Sequence, residues 1–215
     1  MKRILATAAL ALTATPALAH HPLAGAPMET FTHGVLSGIG HPILGFDHLF
    51  FIIAVGIAAV YTGRGLMAPL GYIVGMLGGV ALILGGVALP AVELVIALSL
   101  LIVGAILMSG RGLSLAPAMG LFALLGLFHG WAFGGSLAGQ EAGVGGAVIL
   151  GYLIGLAAIQ WLVAVGAGLA MQRIWGAVSA DAIQSRMAGG VVAGVGAFLV
   201  MEAAEGAAFS ASGLG

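Results

Sequence analysis

The sequence predicts an all-α fold, an integral membrane bundle of six transmembrane helices after a cleaved signal peptide. Three observations carry that prediction. Of 215 residues, 61% are apolar, 6% are charged and 38 are glycine, whereas soluble domains carry about 25% charged residues. So few charges cannot clothe a solvated surface of this size. Apolar stretches near the roughly 20 residues that a helix needs to cross the hydrocarbon recur along the chain. The arginines between them all fall on one side.

The elements follow in order. Met1-Lys2-Arg3 is a short cationic region, Ile4 to Thr15 is apolar but too short to span a bilayer, and Pro16-Ala17-Leu18-Ala19 supplies a helix breaker and an A-x-A pattern. That layout is a secretory signal peptide, residues 1–19, so the mature chain is expected to be a single domain, residues 20–215, beginning outside the cytoplasm. Six spans are then expected: Pro42–Tyr61, Leu66–Leu89, Ala91–Met108, Leu115–Leu137, Gly146–Met171 and Ala188–Phe209. The breaks between them are Thr62–Gly65, Pro90, Ser109–Gly112, Gly139–Glu141 and the longer polar loop Gln172–Arg186. With an outer start, the loops after spans one, three and five face the cytoplasm. They hold Arg64, Arg111, Arg173 and Arg186, every arginine of the mature chain. This is the positive-inside pattern, and it implies a bacterial inner (cell) membrane protein, multi-pass, with both mature termini periplasmic. Gly71/Gly75, Gly75/Gly79, Gly130/Gly134, Gly151/Gly155 and Gly190/Gly194 form small-xxx-small pairs. Such pairs let helix backbones approach closely in lipid, within one chain or in a homo-oligomer.

Several chemistries are excluded. With no cysteine there is no thiolate chemistry. The only lysine is Lys2, inside the expected signal peptide, so neither a phosphate-binding P-loop nor a lysine Schiff base is available. A net charge of −1 offers no basic surface for nucleic acid. The H-E-x-x-H and G-x-S-x-G patterns are absent, and His129 and Ser136 on one helix would stand about 10 Å apart. No enzyme and no prosthetic group are expected, only partnership with the lipid bilayer and an ion.

The remaining signal is the set of ionisable groups inside the spans, each costing about 2.5–3.5 kcal/mol on insertion scales. They are Asp47 and His48 in span one, Glu93 in span three, His129 in span four, and Glu202 and Glu205 in span six. Given the orientation, Asp47 and His48 lie roughly 8–9 Å deep and His129 roughly 12 Å deep from the same outer face. All six map to the outer third of the bilayer, as one outward-facing site would require. Taken singly, each has a plainer reading: His129 as an interhelical hydrogen-bonding group, Asp47-His48 as an ion pair, Glu93 as a helix amino-terminal charge. Pro42 keeps His41 out of helical geometry and suits the first turn of a helix, and His41 can meet His48 at one ion only if Pro42 to Gly45 is irregular, as in the broken helices of transporters. Imidazole and carboxylate without thiolate suit nickel, cobalt or zinc. The candidate metal ligands are therefore His41, Asp47, His48 and His129. His20, His21, His33, Glu93, Glu202 and Glu205 are candidates for additional ligation or capture, and Phe46, Trp131 and Phe133 for pocket walls.

His41-x5-Asp47-His48, preceded by Phe31-Thr32-His33-Gly34 and followed by Val55-Gly56, resembles the first-helix signature of the HupE/UreJ family of hydrogenase and urease accessory membrane proteins. The resemblance extends over the mature chain and includes Phe128-His129-Gly130. It implies a nickel or cobalt permease that carries the ion, as substrate, from periplasm to cytoplasm for metalloenzyme maturation. The alternative is a non-transporting membrane metal-binding accessory or sensor protein. Where the family's span-four motif reads F-H-G-x-(A/V)-H-G-x-E, this chain has Phe133 in place of the second histidine and Ser136 in place of the glutamate. Two expected ligands are thereby replaced, with Glu141, Glu202 or Glu205 as stand-ins.

Overall fold

The structure is a computed structural model that describes residues 27–139 and 144–212. The expected signal peptide, His20, His21 and Glu141 lie outside the described residues. Among the described residues there are helices and no strands: α1 (Phe31–Leu44), α2 (Phe46–Val60), α3 (Ala68–Leu84), α4 (Val92–Ser109), α5 (Leu115–Ala138), α6 (Gly146–Arg173) and α7 (Ile183–Ser212). Four of them, α4 to α7, are long and apolar enough to cross a membrane. The pair α1 and α2 qualifies jointly but is bent by 83°, and counting it as one span gives five. The 17-residue α3 is a shorter apolar helix.

Three boundaries depart from the sequence reading. Helix does not begin at Pro42. It begins at Phe31, where the Thr30 side chain accepts the His33 backbone N–H and caps the first turn. Pro42 lies in the last turn of α1, and His41, expected outside helical geometry, is helical. There it lacks the N–H that would pair with Gly38 O, and the helix ends two residues later at Leu44. Second, α3 stops at Leu84, short of Leu89. The Gly86 N–H donates to Ile83 O and the Val87 N–H to Leu82 O, with Gly86 at φ +78. That is a Schellman motif, and only a residue without Cβ takes such a φ at no steric cost. Third, α7 starts at Ile183 and not at Ala188, which shortens the polar loop before it.

The helices pack in glycine-lined pairs. Between α3 and α5, a Cβ at Gly75 would lie 1.9 Å from Ala123 O and one at Gly130 would lie 1.9 Å from Met76 O. Between α1 and α6, a Cβ at Gly38 would lie 2.2 Å from Tyr152 O. These backbones touch because nothing stands between them, which in lipid is how helices gain dispersion energy. The pair Gly190/Gly194 on α7 is different: a Cβ at either meets nothing within 4 Å. Helix α2 sits centrally, with Phe51, Ala54, Val55 and Ala59 fully buried among α4, α6 and their neighbours. At the arginine-bearing end, Arg186 Nε donates to Met108 O at 3.0 Å, and the Tyr61 hydroxyl donates to Ala177 O at 2.9 Å. In the loop before α7, a hydrogen bond from Ser179, with the Asp181 backbone and the Arg186 charge adding to it, holds the exposed Asp181 carboxyl below the usual carboxylate range.

Candidate functional site

The site is built on the break between α1 and α2. Gly45, extended at φ −84 and ψ 105, ends α1 by donating its N–H to His41 O at 3.1 Å and starts α2 by accepting from Leu49 N at 2.9 Å. The turn brings the His41 and His48 ring centres within 6.0 Å of each other. On a continuous helix, residues seven apart would be about 10 Å apart along the axis. Glycine is needed at the bend for room: a Cβ on Gly45 would lie 2.9 Å from His48 Cδ2 and 3.2 Å from Asp47 Oδ1.

From the bend the site runs inward. His48, buried in the first turn of α2, places Nδ1 2.9 Å from Nδ1 of His129, which is fully buried in α5. His129 Nε2 is 2.9 Å from Ser99 Oγ on α4, and Ser99 donates to Ile96 O at 2.6 Å. Phe51 stacks on His129 with ring centres 4.1 Å apart, and Phe133 packs against both His48 (4.3 Å) and His41 (5.1 Å). On the α6 side, His41 Nδ1 is 3.1 Å from the Tyr152 hydroxyl and 3.3 Å from Ser136 Oγ. Further in, the buried Tyr72 hydroxyl donates to Gln160 Oε1.

The expected ligands are thus brought together unequally. His41, His48 and His129 form one group. Asp47 Oδ2 stays 3.9 Å from His48 Nδ1, and its side chain is 27% exposed. Asp47 joins Glu93 and Glu202 in lining a cleft of about 200 Å³, floored by apolar residues of α4 and α7. Glu205 is exposed on α7 and does not line that cleft. His33 sits in the first turn of α1, where its Nδ1 accepts the Glu29 N–H at 3.3 Å, away from the group. Of the expected pocket walls, Phe133 is in the site, Phe46 is exposed, and the Trp131 indole donates to Val87 O. Among the described residues, no three His, Asp or Glu side chains stand in an arrangement that could hold a metal ion. The histidines are hydrogen-bonded to one another and to hydroxyl groups instead. Ser99, Tyr152, Phe51 and Tyr72 do not stand out in the sequence. The available signal is the lone hydroxyl inside the apolar run of α4 and a tyrosine that directly follows Gly151 on α6.

Fold and site together define a class: a helical membrane protein with a buried histidine cluster at the break of a bent helix, next to a cleft of carboxylates. The family described as HupE / UreJ protein matches residues 8–199. Protein HupE of Rhizobium leguminosarum bv. viciae is 33% identical over 204 residues, spanning 94% of this chain and 100% of the relative. The chain belongs to the HupE/UreJ family. No solved structure matches it.

Proposed function

We propose that this protein is a permease for a divalent transition-metal ion, nickel or cobalt, that carries the ion from the periplasm to the cytoplasm and so supplies metalloenzyme maturation. The observation that carries the reading is the convergence of His41, His48 and His129 at the Gly45 break, beside the Asp47–Glu93–Glu202 cleft. Three carboxylates around one opening raise the local concentration of cations. Imidazole nitrogens and the Asp47 carboxylate are the donor set that suits these ions and does not require thiolate. Loading replaces the His48–His129 hydrogen bond with bonds to the ion, and a small turn of the Asp47 side chain adds an oxygen. Phe51 and Phe133 keep water from the buried side. The polar pair Tyr72 and Gln160 stands on the path inward.

In the same reading the bent α1–α2 pair is one span and α3 is a short sixth. The arginine-bearing loops are cytoplasmic, and both mature termini are periplasmic after removal of residues 1–19. No nucleotide-hydrolysing element is present in the sequence, so the ion moves down the membrane potential, which gives about 2.3 kcal/mol per charge per 100 mV and twice that for a divalent ion.

The test is uptake of labelled nickel and cobalt by cells lacking their own importers, with membrane levels of each protein measured. Wild type should accumulate metal. His48→Ala and Asp47→Asn, present at wild-type levels, should fall at least about tenfold, the scale on which metal-site partners act. Saturable metal binding by the purified protein, with no accumulation above the empty control, would reject the permease in favour of an accessory or sensor.

A further inference from the structure

Close backbone contacts sort the helices into three sets. Gly75 and Gly130 seat α3 against α5, and Gly38 seats α1 against α6. A Cβ on Gly56 would lie 1.9 Å from Ala164 O, so α2 is seated on the same α6. A Cβ on Gly104 would lie 2.6 Å from Ala193 N, which seats α4 on α7. Among the described residues, the same holds for every helix glycine whose Cβ would stand within 3.0 Å of another helix's backbone. The nearest such backbone lies inside one of the sets α1–α2–α6, α3–α5 or α4–α7. None lies across.

Side chains cross between the sets instead. His48 on α2 meets His129 on α5 at 2.9 Å, and Ser99 on α4 meets the other side of the same ring at 2.9 Å. His129 is therefore a point where all three sets join. The Tyr152 hydroxyl on α6 donates to Phe133 O on α5 at 2.8 Å, and Phe51 of α2 stacks on His129. A second tie lies nearer the arginine-bearing end. Tyr72 of α3 sits opposite Gly126, almost one turn from His129 along α5, and its hydroxyl donates to Gln160 Oε1 on α6. Both side chains are fully buried. Gln160 is held in place by its own helix, because its Nε2 donates to Leu156 O at 3.0 Å. This tie includes none of the candidate metal ligands.

Interlocked backbones cannot slide without lifting carbonyl oxygens over one another, whereas packed side chains permit small shear movements. In lipid one interhelical hydrogen bond biases an equilibrium by only about 3- to 15-fold. An ion bonded to His48 on one set and His129 on another binds two relative positions of those sets with different strength. That is the condition for a ligand to shift an equilibrium.

We infer that α3 and α5 move as one rigid body against the body α1–α2–α6 when the ion is loaded. The Tyr72–Gln160 hydrogen bond is the latch that holds the empty protein closed on the arginine-bearing side of the cluster. Tyr72 and Gln160 are thus positioning residues. The purpose of the motion rests on the permease reading, whereas the division into bodies does not.

The chain has no cysteine, so introduced pairs are its only thiols. Spin labels go on exposed positions: Leu84→Cys with Leu124→Cys inside the α3–α5 body, and Leu124→Cys with Leu162→Cys across the boundary. The full chain in lipid nanodiscs is measured by pulsed dipolar spectroscopy, with chelator and with saturating nickel, and nickel binding is checked by chelator competition. Nickel should move the Leu124–Leu162 distance by about 2 Å or more and leave Leu84–Leu124 within about 1 Å. Tyr72→Phe keeps the ring and loses the hydroxyl. In chelator it should raise the share of the nickel-bound Leu124–Leu162 distance about 3- to 15-fold. Bound nickel with both distances unchanged, or with both moved alike, overturns the inference. A Tyr72→Phe distribution identical to wild type overturns the latch. If Tyr72→Phe lowers the membrane level, the wild-type pairs alone decide. If the protein binds no nickel, the permease reading fails and the Tyr72→Phe distances alone decide. Movement without metal uptake by cells overturns the permease and leaves the two bodies standing. Uptake without movement does the reverse.

Discussion

Glycine does two different jobs in this molecule, at the α3–α5 seam and at the α1–α2 bend. At the seam, Gly75 and Gly130 let two backbones touch, and the atoms that a Cβ would meet are carbonyl oxygens at 1.9 Å. Those oxygens belong to helices and cannot step aside singly. At the bend, Gly45 makes room for a side chain, and the nearest atom is His48 Cδ2 at 2.9 Å. An imidazole can rotate away. The first kind of glycine supports the fold and the second supports the site, so substitutions at the two places should fail in different ways.

The largest effect is expected at the seam. Gly75→Ala and Gly130→Ala must push α3 and α5 apart, an overpacking cost of about 3 kcal/mol, offset by roughly 1 kcal/mol of helix propensity. A net loss of about 2 kcal/mol should appear as a lower thermal midpoint in detergent and a lower membrane level. Unchanged unfolding would mean that the seam is looser than its geometry. The bend should behave otherwise. Because φ −84 is ordinary for any residue, Gly45→Ala should keep the wild-type membrane level. It should nevertheless lose about tenfold in metal uptake, the scale expected when a ligand's support is disturbed. Equal losses in level and uptake would collapse the distinction between the two glycines.

A smaller effect sharpens the site itself. Phe133 packs 4.3 Å from the His48 ring centre, so Phe133→His adds a fourth imidazole to the group at the bend. It should raise nickel affinity about tenfold in a chelator competition. A fall in affinity would show that the apolar wall matters more than the extra donor. The least effect belongs to Gly194→Ala. Nothing lies within 4 Å of its Cβ, so stability should change by no more than about 0.5 kcal/mol, read in the same unfolding assay. A strong loss there would point to a second molecule on that face of α7.

Parts of the site are legible in the sequence and parts are not. The pattern His41-x5-Asp47-His48 and the lone His129 announce themselves because ionisable groups are rare and costly inside apolar segments. The requirement that Pro42 to Gly45 be irregular for His41 to reach His48 follows from helix rise alone, and the break stands at Gly45 with an 83° bend. The place of Pro42, in the last turn of a helix starting at Phe31, does not follow from hydropathy. Hydropathy marks where lipid is tolerated, whereas the helix start depends on a hydrogen bond from His33 N–H to Thr30. The end of α3 at Leu84 is hidden for the same reason, since Gly85-Gly86-Val87 reads as apolar although it closes a Schellman turn. Ser99, Ser136 and Tyr152 carry no such mark. A serine within a helix commonly bonds its own backbone, and only the neighbour across the interface shows that it also holds a histidine.

Composition and the length of the apolar stretches determined that the chain is helical and apolar enough for lipid, because solvent preference and helix length are properties of single segments. The resemblance to the HupE/UreJ family was likewise carried by local strings of residues around His41, His48 and His129, and the family match over residues 8–199 shows the membership. Which groups face each other was decided only by the tertiary structure. His48 meets His129 across 81 positions of sequence, and His41 meets Tyr152 across 111. Those pairings depend on how closely glycine-lined helices approach and how sharply Gly45 bends. Both are set by many backbone contacts acting together, and no short stretch of sequence records them.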